Sequence, residues 1–305
     1  MLLFWILFNI FVLTALVLDL KVFHRSGKTI RPADALLASA LWFALAIGFA
    51  VVLFFWQGHQ PALEFVAGYV LELSLSIDNL FVFLLIFRYF AVPEEQQHSV
   101  LFWGILGALV LRGLFIFAGV ELIQSFHWVL YLLGGLLIVS GIRFLRGPHQ
   151  VKPEKNPVVR ALRRTLPLTD GYQGGRFFVR GWRGNPALYA TPLLLVLAII
   201  ETTDLLFAVD SIPAILAITL NAFIVYTSNV FAILGLRSLY FAVAGLMKVF
   251  RFLHYGLASV LIFVGLKMLA SEWYRVPTAI TLAIVAGLVL ISVVASVIFP
   301  ERANA

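Results

Sequence analysis

Long apolar runs alternate with short polar breaks along this chain. The runs lie near residues 1–18, 35–56, 62–88, 99–119, 126–144, 191–219, 222–245, 254–270 and 277–299. Each approaches the ~20 residues that cross a hydrocarbon core ~30 Å thick. Such continuous apolarity predicts helices, because a spanning strand would show about ten residues of alternating pattern. The expected fold is all-α, a polytopic membrane protein of about nine transmembrane helices. The segment 146–190 breaks the rhythm with Pro, Gly and charge, and reads as a polar loop.

Composition sharpens this picture. The chain is 62% hydrophobic and 12% charged, against about 45–50% and about 25% in soluble domains. The first run lacks a basic leader and is followed by Lys21, Arg25, Lys28 and Arg31, so it is expected to stay as a helix. With the N-terminus outside, those residues join Arg88, the dense cluster from Arg143 to Arg183, Lys248, Arg251 and Arg302 on the inner face, leaving Lys267 and Arg275 outside. That asymmetry predicts the orientation, with the C-terminus inside. The basic loop is expected to hold it and to meet anionic lipid headgroups. Its aromatics (Phe177, Phe178, Trp182) form no nucleic-acid platform, so no nucleic-acid partner is expected. Cysteine is absent, which removes disulfides and thiolate chemistry. The six histidines (His24, His59, His98, His127, His149, His254) sit at run ends or in loops without metal-ligand spacing.

The stretches 62–145 and 191–270, flanking the loop, read as two copies of a three-helix unit within a single transmembrane domain. Each opens with an acidic run. Each continues with a mid-run arginine, Leu111-Arg112-Gly113-Leu114 and Leu236-Arg237-Ser238-Leu239. The closing strings are Gly141-Ile142-Arg143-Phe144-Leu145 and Gly265-Leu266-Lys267-Met268-Leu269. Three spans per unit make the copies inverted in the membrane, a plan that recurs in secondary transporters with a midplane site.

The acidic runs carry the chemistry. Glu72 and Asp78, and again Asp204 and Asp210, are six residues apart in otherwise apolar segments. An Asp at a helix centre costs about 2.5–3.5 kcal/mol even on mild insertion scales, so such residues are functional candidates. A six-residue step on a straight helix turns the side chains ~120° apart and ~9 Å along the axis. Aiming both at one ion therefore predicts a helix break, with Ser74, Ser76, Asn79, Thr202, Thr203 and Ser211 satisfying freed backbone and Pro213 releasing the carbonyl of Val209. Glu201 shares a helix face with Asp204. Glu72, Asp78, Glu201, Asp204 and Asp210 against Arg112 and Arg237 leave a net negative charge that calls for a cation or protons. Oxygen ligands without Cys or a central His suit a hard divalent ion such as Mn²⁺, Ca²⁺ or Mg²⁺. Arg112 and Arg237 also fit as packing salt bridges to two of the acids. Met247 and Met268 read as packing.

These residues resemble the TerC/Alx family of bacterial membrane proteins. The likeness runs from the first helix to the last and is tightest at Ser76-Ile77-Asp78-Asn79, Ala208-Val209-Asp210-Ser211-Ile212-Pro213-Ala214 and Thr227-Ser228-Asn229-Val230-Phe231-Ala232-Ile233-Leu234-Gly235-Leu236-Arg237. Phe177-Phe178-Val179-Arg180 before Tyr189-Ala190-Thr191-Pro192 is similar to the Alx branch. The resemblance implies a bacterial inner-membrane protein that exports manganese, with Mn²⁺ as transported ion and no organic cofactor. It makes Glu72, Asp78, Asn79, Glu201, Asp204 and Asp210 the metal path, with Ser76, Ser211, Pro213, Arg112 and Arg237 supporting it. One departure is Leu73, where the family pattern often has a lysine beside the first glutamate.

The expectation is a secondary transporter rather than an enzyme, exporting Mn²⁺ with protons as the candidate counter-ion. The alternative is an accessory membrane protein that serves metal delivery or stress resistance without transport of its own. An intramembrane hydrolase using Asp78 and Asp210 lacks any further motif.

Overall fold

The computed structural model describes residues 2–24, 32–145, 156–181, 187–243, 252–274 and 276–298. Ten helices and one hairpin follow in the order α1 (Leu2–His24), α2 (Pro32–Gln57), α3 (His59–Tyr89), α4 (Glu94–Ser125), α5 (Val129–Leu145), α6 (Pro157–Thr165), β1 (Phe178–Arg180), β2 (Leu188–Ala190), α7 (Pro192–Leu216), α8 (Ala222–Val243), α9 (Leu253–Leu269) and α10 (Thr278–Ile298). Among the described residues six helices (α2, α3, α4, α7, α8, α10) are long and apolar enough to cross a membrane, and shorter apolar stretches lie in α1, α5 and α9. The protein is therefore an integral, multi-pass, mostly helical membrane protein.

Local chemistry sets the boundaries. Gly58, at φ +96°, makes the one-residue corner between α2 and α3, a left-handed conformation that glycine adopts without a Cβ penalty. Pro93 precedes α4, whose first turn holds Glu94 and Glu95, and Pro192 opens α7. Both choices suit a helix start, where the dipole favours acids and the missing proline N–H costs nothing.

Around the bundle α3 packs on α8, α4 on α7, and α5 on α9. Helix α2 covers α3 and α8, while α10 covers α3 and α9. The α5–α9 crossing is antiparallel and close. Gly134 faces Gly265, and Gly141 faces Ala258; a Cβ on Gly265 would stand 2.7 Å from the Gly134 carbonyl. Met268 packs there against Gly134, as a core side chain rather than a ligand. Small residues at such seams replace the hydrophobic driving force that lipid cannot supply.

Two expectations are corrected. Helices α3 and α7 run unbroken through their acidic strings. Three of the hydroxyls expected to satisfy freed backbone instead bond their own helix four residues back: Ser74 donates to Val70, Thr202 to Ala198 and Thr203 to Ile199. Pro213 sits in the last turn of α7, where one lost bond does not open the helix. The second correction concerns the polar loop, which holds a capped helix and a hairpin. Asn156 accepts the N–H groups of Val158 and Val159 at the start of α6, and β1 pairs antiparallel with β2, Val179 opposite Tyr189. Val159, Leu162, Leu168, Tyr172 and Phe177 pack on the apolar cluster at that end of α3, α4, α7 and α8. Tyr172 donates to the Phe90 carbonyl at the end of α3 (2.7 Å). Burial raises the Tyr172 phenol above its usual pKa.

Candidate functional site

Arg112 stands near the middle of α4 and is 2% exposed. Its guanidinium reaches three other helices. It pairs with Glu72 of α3. Its Nε donates to Asp204 Oδ2 on α7 (3.3 Å) and its Nη2 to Asp204 Oδ1 (3.0 Å). Its Nη1 donates to Asn229 Oδ1 on α8 (3.2 Å). The fork matches the carboxylate in the way a planar guanidinium favours. Glu72, Asp204 and Asn229 are all buried, and two carboxylates on one guanidinium leave one formal negative charge.

The remaining acids face elsewhere. Asp210 accepts a short hydrogen bond from Ser140 Oγ on α5 (2.6 Å). The Glu201 carboxylate lies directly over Gly107 of α4, where any Cβ would collide with it, and its Oε2 is buried without a hydrogen-bond partner. Asn79 is buried in α3, one helical stripe along from Glu72 and Ser76. Ser76 Oγ and Ser211 Oγ are buried and unpartnered. The backbones of Asp78 and Arg237 belong to α3 and α8, but their side chains lie outside the described residues, as does Met247. Among the described residues no three His, Asp or Glu side chains gather tightly enough to hold a metal ion. The structure thus brings Glu72 and Asp204 together on Arg112, sets Asp210 on Ser140, and keeps Glu201 on its glycine.

Three participants escape sequence reasoning: Ser140, Asn229 and Gly107. Asn229 at least stands in a polar triplet, Thr227-Ser228-Asn229, inside an apolar run, which is a weak signal of a buried polar face.

The sequence profile of the integral membrane protein TerC family matches residues 57–304. The chain belongs to the TerC family. An uncharacterised membrane protein of Myxococcus xanthus is 46% identical over 98% of this chain and 93% of its own length. Relatives named "Putative membrane-bound redox modulator Alx" are 44% identical in Salmonella typhi, over 96% of this chain and 93% of theirs, and 43% identical in Escherichia coli K12, over 95% and 92%. No solved structure matches the chain. The TerC profile takes in the helices α3 to α10 and therefore every side chain of the Arg112 centre.

Proposed function

We propose that this TerC-family protein is a secondary transporter that exports Mn²⁺ from the cytoplasm across the bacterial inner membrane, with protons as counter-ion. One observation carries the reading: carboxylates from the middle of α3 and of α7, Glu72 and Asp204, meet in the protein interior at a single guanidinium. Charge held at mid-membrane depth is costly and marks ion pathways.

The packing supports a two-fold relation between the halves. The same sequence separation relates Glu72 to Asp204 and Asp78 to Asp210. Exchanging α3 with α7, α4 with α8 and α5 with α9 turns the α3–α8 contact into α7–α4 and leaves α5–α9 unchanged. At the seam the same exchange swaps the pair Gly134–Gly265 with Ala258–Gly141. Inverted repeats of this kind rock about a fixed site in secondary transporters. The donors are carboxylate, amide and hydroxyl oxygens (Glu72, Asn79, Glu201, Asp204, Asp210, Ser76 and Ser211), which suit a hard divalent ion. The basic residues of 143–183 argue for a cytoplasmic α6 and hairpin, with the N-terminus outside and the C-terminus inside.

The test is purified full-length protein in liposomes loaded with a manganese-sensitive dye. Mn²⁺ flux that Asp210→Asn abolishes supports export. Flux indifferent to an imposed pH gradient removes the proton exchange, and no flux at all favours the second reading, an accessory protein without transport of its own. That second reading draws on the relatives' name, "Putative membrane-bound redox modulator Alx". With no cysteine in this chain, thiol redox chemistry has no residue to act through.

A further inference from the structure

A buried ion cluster that serves packing alone gains most when every polar atom is satisfied. The cluster around Arg112 is not. Glu72 Oε2, Ser76 Oγ and Asn229 Nδ2 are buried without hydrogen-bond partners. A small void lined by Phe83, Gly104, Ala108, Ile233 and Leu236 opens against Asp204. The carboxylates belong to α3 and α7 while the guanidinium comes from α4, so any shift between these helices changes how the arginine reaches them.

We propose that Arg112 is a tethered cation that holds Glu72 and Asp204 between visits of the transported metal, so that guanidinium and metal compete for the same two carboxylates. The inference rests on the export reading and names how that site is regulated. Bare carboxylates at this depth are too costly to leave empty, and a guanidinium supplies a positive charge that no change of pH removes. Arginine cannot vacate the pair by losing its proton. It leaves only by moving, when the helices that carry it and its partners shift against one another, and Asn229 Oδ1, which accepts Nη1, helps to hold it in its seat until then. Between visits of the metal, the pair of acids is closed by the protein itself.

A competitor seated ~90–99% of the time weakens apparent metal affinity by ~10- to 100-fold. The experiment uses the full chain in detergent with Mn²⁺ alone as probe, free Mn²⁺ being read by electron paramagnetic resonance. Arg112→Gln is expected to bind Mn²⁺ at least tenfold more tightly than the unmodified protein, and Arg112→Lys to stay near it. The gain must vanish when Glu72→Gln is added. Unchanged or weaker binding by folded Arg112→Gln overturns the proposal, because a structural role predicts loss and a competitor predicts gain. A gain that survives without Glu72 also overturns it, since it would then be a general field effect. If Arg112→Gln does not fold, Asn229→Ala decides: it keeps every charge but loosens the guanidinium, so severalfold tighter binding supports the competition and unchanged binding refutes it. Loss of Mn²⁺ flux in liposomes with this binding pattern intact would sink the export reading and leave the competition standing.

Discussion

The seam between α5 and α9 gives the most direct test of the packing. A methyl at Gly265 would meet the Gly134 carbonyl at 2.7 Å, Ile138 Cγ1 at 2.8 Å and the Ile138 nitrogen at 3.1 Å. Two of these neighbours are backbone and cannot swing aside, so the helices must part by roughly 0.5–1 Å, enough to forfeit a quarter to a half of each facing dispersion contact. Overpacking of this kind costs about 1–3 kcal/mol, while replacing a helical glycine by alanine returns up to about 1 kcal/mol. Gly135, one residue from the seam, has nothing within 4 Å of its added Cβ, so Gly135→Ala keeps the propensity gain without the clash. Thermal unfolding of the detergent-solubilised full chain, followed by its tryptophan fluorescence, should therefore place Gly265→Ala below Gly135→Ala by several degrees, at roughly 2–4 °C per kcal/mol. Gly134→Ala, whose nearest neighbours are at 3.1 Å, should fall between them. Equal melting of Gly265→Ala and Gly135→Ala would refute the close crossing.

Asp210→Asn should abolish manganese export with normal protein abundance; near-normal flux in liposomes would remove Asp210 from the path. Ser140→Ala removes the 2.6 Å donor to Asp210, a charge-assisted bond of about 1.5–3 kcal/mol. It should alter flux by tenfold or more while abundance stays, and an unaltered flux curve would make Ser140 a packing residue. Glu64→Gln, on a residue that accepts from Gln60 near the start of α3, about two helical turns before Glu72, should change export mildly. Tyr172→Phe loses one hydrogen bond to Phe90, worth about 0.5–1.5 kcal/mol. It should make the α6–β1 segment cleave faster under limited proteolysis, and unchanged cleavage would show that apolar packing alone holds it.

The spans were legible because lipid demands long apolar runs: the stretch 62–88 became α3 at His59–Tyr89, and 191–219 became α7 at Pro192–Leu216. Ends shifted where polar residues such as His59 and Gln60 still join the helix. Helix α6 went unread because only Val158, Val159, Ala161 and Leu162 are apolar among its nine residues, although Asn156-Pro157 is a start signal in plain sight. The expected helix break failed for a different reason. Sequence shows which hydroxyls are available but not whom they bond, and Ser74, Thr202 and Thr203 choose their own carbonyls. Arg112 and the acids announced themselves as charges in hydrocarbon. Ser140 and Gly107 carry no charge and gain meaning only from what the neighbouring helix sets opposite them.

Continuous helices constrain how the proposed export can work. With α3 and α7 unbroken, no local unwinding can carry an ion past the Arg112 centre, so access must alternate by whole helices shifting. The candidates are set by the packing: the pairs α3–α8 and α4–α7 each join one helix from either half, and the glycine seam of α5 and α9 ties the halves at a place where backbones touch. A shift of α3 with α8 against α4 with α7 slides Glu72 relative to Arg112 but leaves the α4 arginine beside Asp204, its partner on the helix packed against α4. The Glu72 pairing is therefore the first that the motion breaks, and the acid it releases is the first a cation can claim before it competes with the guanidinium for Asp204. On this geometry Glu72→Gln should slow transport more than it weakens Mn²⁺ binding by the resting protein, whereas Asp204→Asn should loosen Arg112 itself and lower stability first. Flux and thermal melting measured on the two variants separate these outcomes, and equal effects of both substitutions on both measurements would count against a sliding α3.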